Sequence, residues 1–319
     1  MAVNAEQETA GLISPGNCTV VTEFMFLAFP TRLGLQALHF TGISLVFAAT
    51  VAGNLLILVA IQGDTRLHTP MYLFLEGLSV IELSYVATIF PQMLVNALQE
   101  RKSITFGGCG AQMFFFIGLG SSDCFLLVAM AYDRYVAICR PLHYTRLMTR
   151  QLCLGLVAAS LALGGLLSLQ IAVLIFRLPF CGSNMVNHFL CDVNQVLKLA
   201  STDTHSEAMA QFIASVLVVA LPFLLICVSY IYIINTILSI HSAEGRRRTF
   251  QTCSSHLMVV LLQYSSCGLV YLHPKGSWSD KLDQLISLGY IFGSPIFNPL
   301  IYSLRNKELK EAIAKVIRR

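Results

Sequence analysis

Charge is scarce in this sequence. Only 12% of its 319 residues are Asp, Glu, Lys or Arg, about half the share a soluble domain carries. The apolar residues come in long blocks, which excludes a soluble protein with a large core. Net charge is +4, but the basic residues do not line one soluble face, so nucleic acid is not an expected partner. Residues 1–20 lack a basic start and an apolar core. No cleavable signal peptide is expected there, and the first hydrophobic span inserts the chain. Alternation suited to barrel strands is missing. So are internal repeats, low-complexity tracts, and the His-Glu-x-x-His and Gly-x-Ser-x-Gly strings of hydrolases. These absences argue against a membrane-embedded hydrolase and against a small transporter, which would show inverted repeats and broken helices. Ten cysteines in a chain this long are too few for a disulfide scaffold.

Seven apolar runs, by contrast, are long enough to cross a hydrocarbon core as helices, which takes about 20 residues. They are Leu35–Ile61, Met71–Leu98, Gly107–Cys139, Leu152–Phe176, Met209–Ile240, Phe250–Leu272 and Leu282–Leu304. The expected fold is an all-α membrane bundle of seven helices. It divides into an N-terminal segment (residues 1–34), the bundle (35–304) and a tail (305–319). In the tail, Leu309, Ile313 and Val316 fall at helical spacing among basic residues. That pattern predicts a short amphipathic helix on the inner leaflet, with a solvated basic tail as the alternative.

Orientation follows from the flanking charges. With the N-terminus outside, the cytosolic ends hold Arg66, Arg134, Arg140, Arg146, Arg150, Arg246, Arg247, Arg248, Arg305, Lys307, Lys310, Lys315, Arg318 and Arg319, fourteen of the 21 basic residues. The positive-inside rule therefore places the C-terminus in the cytosol. Asn17-Cys18-Thr19, the one usable glycosylation sequon, then lies outside with Asn17 as acceptor.

Ionisable residues inside a bilayer are costly and point to function. Glu82 lies in the second span and Asp123 in the third, the latter about 16 Å along the helix from Arg134. With Asn54, and with Asn298 nearby, they form either a cation or water-filled polar site or a set of protonated acids bonded to neighbouring helices. Arg134 ends the third run beside Asp133. It is either an interfacial anchor or an arginine held by a carboxylate in one conformation and handed to a cytosolic partner in another.

The string Met130-Ala131-Tyr132-Asp133-Arg134-Tyr135-Val136-Ala137-Ile138-Cys139, continued by Pro141-Leu142-His143-Tyr144, resembles the end of the third helix in rhodopsin-like G-protein-coupled receptors, and within them the olfactory receptors. Further strings match in order. They are Gly53-Asn54, Leu67-His68-Thr69-Pro70-Met71-Tyr72, Ser229-Tyr230, Thr252-Cys253-Ser254-Ser255-His256-Leu257, and Pro295 through Asn306 with its Asn298-Pro299-Leu300-Ile301-Tyr302. Thr22–Phe29 also looks like the family's lead into the first helix. Departures exist as well: Glu82 replaces the superfamily's aspartate, and Gln263-Tyr264-Ser265 stands at the usual Phe-Tyr-Gly step.

The resemblance implies a tetrapod-type odorant receptor in the plasma membrane, with no enzymatic activity and no cofactor. Its partners would be a volatile odorant, a stimulatory olfactory G protein that raises cyclic AMP, and membrane lipid. It implies a Cys109–Cys191 disulfide, and it leaves Cys181 without its usual partner, since Ser201 occupies that place. Cys181 is then either free or paired with Cys18. With Cys191 in a disulfide, the His188, Cys191 and Asp192 cluster offers no thiolate, so no metal is expected. The implied ligand pocket comprises Phe116, Ile117, Gly120, Ser121, Tyr264, Cys267, Gly268 and Tyr271. None of these is charged, which points to a small, mostly neutral ligand. The implied coupling and switch residues are Asp133, Arg134, Tyr135, Tyr230, His256, Asn298, Pro299 and Tyr302.

Overall fold

A computed structural model describes residues 21–30, 32–272 and 279–318. The sequon at Asn17 and the residue Cys18 fall outside the described residues. Seven helices are long and apolar enough to span a membrane: α1 (Leu33–Gly63), α2 (Pro70–Leu98), α3 (Phe106–Cys139), α4 (Arg150–Phe176), α5 (His205–Leu238), α6 (Ala243–Tyr271) and α7 (Asp280–Arg305). An eighth, α8 (Lys307–Ile317), follows a one-residue break at Asn306. In hydrocarbon every backbone group must be satisfied within the segment, and the helix does this. The ends are set by polar caps. Thr105, Thr149, Ser242, Ser279 and Asn306 each accept a hydrogen bond from a backbone N–H in the first turn. The cap at Ser242 starts α6 seven residues before the apolar run does, because Arg246 and its neighbours continue the helix in polar surroundings.

The third span, α3, is the most enclosed of the seven. Small residues let α4 lie close against it. A Cβ on Gly164 would sit 2.8 Å from the Ser122 amide nitrogen and closer still to Ser122 Oγ and Gly118 O. Ser168 Oγ donates to Phe114 O at 2.5 Å across the same seam. This is the small-residue packing that helices use where lipid removes the hydrophobic drive to associate. Gly53 plays the same part for α1, with Pro299 of α7 only 3.2 Å from where its Cβ would stand. Helix α5 contains one π turn, Val216–Ala220, just before Pro222. Proline has no N–H to donate back along the helix, which favours such a local widening.

Three short strands cap one end of the bundle, an element the sequence reading did not include. They are β1 (Glu23–Phe26), β2 (Ser103–Thr105) and β3 (Met185–Val186), in the order β2-β1-β3. The pairing is antiparallel between β1 and β2 and parallel between β1 and β3. Phe24 and Phe26 point from one face of β1 into the core. At the opposite end, α8 turns its apolar side inward: Leu309 and Ala312 are buried, with Ile313 and Val316 packed against the core. The amphipathic helix expected from the spacing of Leu309, Ile313 and Val316 is therefore present, and the bundle receives part of its apolar face. Tyr72 Oη donates to Asn306 Oδ1 and Glu308 Oε2, and Lys315 reaches Asp64 at 3.3 Å, pinning α8 to α1 and α2. Arg66 beside Asp64 holds that carboxyl well below the usual carboxylate range.

Candidate functional site

The polar and cavity-lining residues fall into three layers along the bundle axis. At the sheet end, α3, α4, α5, α6 and α7 line a partly open pocket with about 530 Å³ of space between their atoms, open solvent included. Six of the residues the resemblance implies for a ligand pocket line it: Phe116, Ile117, Gly120, Ser121, Cys267 and Tyr271. Tyr264 and Gly268 do not. Tyr264 lies one turn deeper on α6 than Cys267, and its hydroxyl donates to Cys124 O at 2.8 Å. Gly268 is one residue, about 100° of helix, past the cavity-facing Cys267. The sequence reading missed Leu167 and Ile171 of α4, Gln211, Ala214 and Ser215 of α5, and Tyr290 of α7. Helical spacing Gln211-Ala214-Ser215-Val218 was a readable signal, since i, i+3, i+4 and i+7 share a face. Among the described residues, no charged side chain lines this cavity.

One turn deeper, a smaller cavity of about 210 Å³ is lined by Glu82, Tyr85, Asp123, Gln263, Tyr290 and Ser294 among others. Asn298 Nδ2 donates to Glu82 Oε1 at 2.5 Å, and Ser294 Oγ donates to Gln263 Oε1 at 2.5 Å and to Glu82 Oε1 at 3.3 Å. Glu82 and Asp123 are both buried, and Asp123 Oδ1 has no hydrogen-bond partner. Asn54 was expected here but lies elsewhere. It uses its amide on Thr50 O in its own helix, at 3.1 Å, and does not line the cavity. Gln263, read from sequence only as a departure from the family pattern, takes its place as a polar wall. The two cavities meet at Gly120 and Tyr290, which line both. A Cβ on Gly120 would stand 3.0 Å from Tyr290 Oη, so glycine is what leaves that junction open.

At the end away from the sheet, His256 is fully buried between two helices. Its Nε2 is 3.2 Å from Leu127 O and its Nδ1 is 2.8 Å from Tyr230 Oη. A carbonyl only accepts, so Nε2 carries the proton and Nδ1 accepts from the tyrosine. Tyr302 Oη reaches Met130 Sδ at 4.0 Å. Arg305 donates to Ser254 Oγ at 2.9 Å. Arg134 lies near Tyr230, His256 and Tyr302. Among the described residues it makes no ion pair with Asp133, and its buried Nε has no partner. Asp133 Oδ1 instead accepts from Tyr144 Oη at 2.9 Å, which the sequence reading did not foresee. Burial and the neighbouring Asp133 push the Tyr144 phenol above its ordinary value, so it stays a donor. Arg134 and Asp133 are therefore not paired, and the carboxylate is held by a loop tyrosine. Tyr135 packs edge-on against Tyr232 of α5.

Over the sheet end, Cys109 and Cys191 form a disulfide with Cα atoms 5.5 Å apart, tying the start of α3 to the loop after α4. Gln112 Oε1 accepts from the Cys191 amide at 3.0 Å. Cys181 is disulfide-bonded too, which excludes the free thiol. The other alternative, a partner at Cys18, falls on a residue outside the described ones. Ser201, in place of the family's cysteine, closes the loop by hydrogen bonds to the Cys181 amide and carbonyl at 2.8 and 2.7 Å. His188 is buried under the same loop, and burial pulls its ring below the ordinary histidine value against the pull of Asp192 and Asp283.

A family model described as olfactory receptor matches residues 43–319. Among curated proteins, human olfactory receptor 10Q1 is 53% identical over 297 residues, 93% of this chain and 93% of its own length. Human olfactory receptor 10V1 is 46% identical over 304 residues, 95% of this chain and 98% of its own. Human olfactory receptor 10K1 is 48% identical over 301 residues, 94% of this chain and 96% of its own.

Proposed function

Because the chain belongs to the olfactory receptor family, odorant-sensing G-protein-coupled receptors of the plasma membrane and not enzymes, we propose that it detects small, neutral, mostly apolar odorants and raises cyclic AMP through a stimulatory olfactory-type G protein. The observation that carries the ligand class is the sheet-end cavity, walled by apolar and weakly polar side chains with no charge to pair an amine or a carboxylate. A small ligand binds there by burial and one or two hydrogen bonds.

The sheet end faces outward in this reading. The excess of basic residues at the other end and the oxidised cysteines at the sheet end support it. Asn17 is then available for glycosylation, and α8 lies along the inner leaflet while its apolar side docks on the bundle. Helix α6 joins the layers mechanically. Cys267 and Tyr271 line the ligand cavity, Gln263 the polar one, and His256 sits among the switch residues. An odorant that draws the outer half of α6 inward levers the inner half outward, and Pro299 gives α7 the freedom to follow. Tyr230, Asn298 and Tyr302 then repack around Arg134, which meets the G protein. The ligand acts by binding that state more tightly than the resting one.

The test is cyclic-AMP accumulation in cells expressing the chain with the olfactory G protein, challenged with volatile compounds, beside Arg134→Ala at matched surface expression. A dose-dependent response lost in Arg134→Ala is expected. Silence despite surface expression would overturn the coupling, and a response surviving in Arg134→Ala would overturn the switch.

A further inference from the structure

Among the described residues that line the odorant cavity, Gln211 carries a fully buried side-chain acceptor without a partner. Gln211 lines the cavity from α5 and is only 9% exposed, yet its amide oxygen Oε1 is buried with no donor near it. The assignment of oxygen and nitrogen in that amide follows from its neighbour. Ser215 Oγ donates its single proton to Gln211 O one turn back, at 2.9 Å. Its lone pairs therefore face the Gln211 side chain, and only the amide nitrogen can meet them, at 3.4 Å. The nitrogen is committed to the serine, so the oxygen is the end of the amide left without a donor. Leaving such an acceptor buried is costly, and a donor on the ligand recovers that cost.

We infer that Gln211 Oε1 is the ligand-recognition acceptor of this cavity and that its ligands are apolar molecules bearing a hydroxyl, namely aliphatic, terpenoid or phenolic alcohols. This rests on the odorant-receptor reading and names the ligand class of the same cavity. Protonated amines are disfavoured because no carboxylate lines the space. Ethers, esters and ketones of the same shape bring acceptors only, and leave the glutamine oxygen unmet. Ser215 acts here as a positioning residue, since its bond fixes which end of the amide faces the ligand.

The experiment is a dose–response comparison of matched pairs, alcohols against their isosteric or O-methylated ethers (octan-1-ol and heptyl methyl ether, eugenol and methyl eugenol, and a wider set built the same way). It is run on the intact receptor and on Gln211→Met and Gln211→Glu at measured surface expression. The native receptor should respond to at least one alcohol at tenfold or more lower concentration than its ether. Gln211→Met, of similar shape without the amide, should bring the pair within about threefold. Gln211→Glu, which keeps an acceptor, should retain the alcohol preference. An alcohol preference undiminished in Gln211→Met, or agonists found only among ethers and ketones, would overturn the inference and leave the receptor reading standing. A panel wholly silent at good surface expression would overturn both. A water bridging the glutamine oxygen would appear as equal potency within each pair, and counts against the inference.

Discussion

The two ends of α6 are built on opposite principles. Toward the sheet, it faces a cavity whose walls are apolar and weakly polar, where one buried amide oxygen lacks a partner. Toward Arg134, its His256 is bonded at both ring nitrogens and stacked on Tyr230, and Ser254 receives Arg305. A loosely constrained cavity can be reshaped by single side chains without disturbing the fold, which suits ligand discrimination. A bonded network has few alternative arrangements, which suits a switch that must be thrown as a unit. The Glu82 and Asp123 layer between them shares Gly120 and Tyr290 with the cavity, and through Glu82 it is bonded to Asn298, one turn from Tyr302 on α7.

The comparison depends first on a rigid frame, and breaking that frame should have the largest effect. Gly164→Leu forces α4 away from Gly118 and Ser122 of α3. It should cost on the order of 3 kcal/mol and most of the surface expression. The thermal unfolding temperature of the solubilised receptor measures this, and a native-like value would mean that the α3–α4 seam is not a constraint.

Next in size, Tyr144→Phe releases Asp133, which is then free to pair with Arg134. The loss of one hydrogen bond, about 1 kcal/mol, should lower basal cyclic AMP roughly fivefold by favouring the held arginine. A rise in basal signal would reverse the assignment of which partner keeps Arg134 free.

A smaller effect is expected outside both layers. His188 is held neutral by burial under the loop. A group whose folded value is depressed contributes stability above its unfolded value, about 6.5, and loses it as pH falls through the folded one. Thermal stability should therefore decline between pH 7 and 5, and His188→Phe should flatten that slope. An unchanged slope would show that the ring does not titrate with loop opening.

The seven spans were legible because hydrocarbon leaves one solution for an apolar run of this length, so boundaries differ from the apolar blocks by at most four residues except at the start of α6, where the cap at Ser242 extends the helix. Cys109 and Cys191 were legible through family likeness alone. The strands were not, since four, three and two residues carry no periodicity to detect. Tyr144 was visible as a letter in a string, but its bond to Asp133 depends on how the loop after α3 folds back. Asn54 was misplaced because sequence gives depth along a helix better than rotation about it. Gln211 and Tyr290 were missed for the opposite reason: attention to α3 and α6 left the facing stripes of α5 and α7 unread.

The most direct test of the central claim, that odorant binds in the sheet-end cavity and is read at Arg134, is to fill that cavity. Ala214→Phe places a ring among the lining residues, whereas Leu225→Phe on the same helix points to the half-exposed outer surface. In cyclic-AMP dose–response curves at equal surface expression, Ala214→Phe should weaken agonist potency by at least a hundredfold, while Leu225→Phe stays within about threefold of native. Undiminished potency in Ala214→Phe would place the ligand elsewhere and contradict the account.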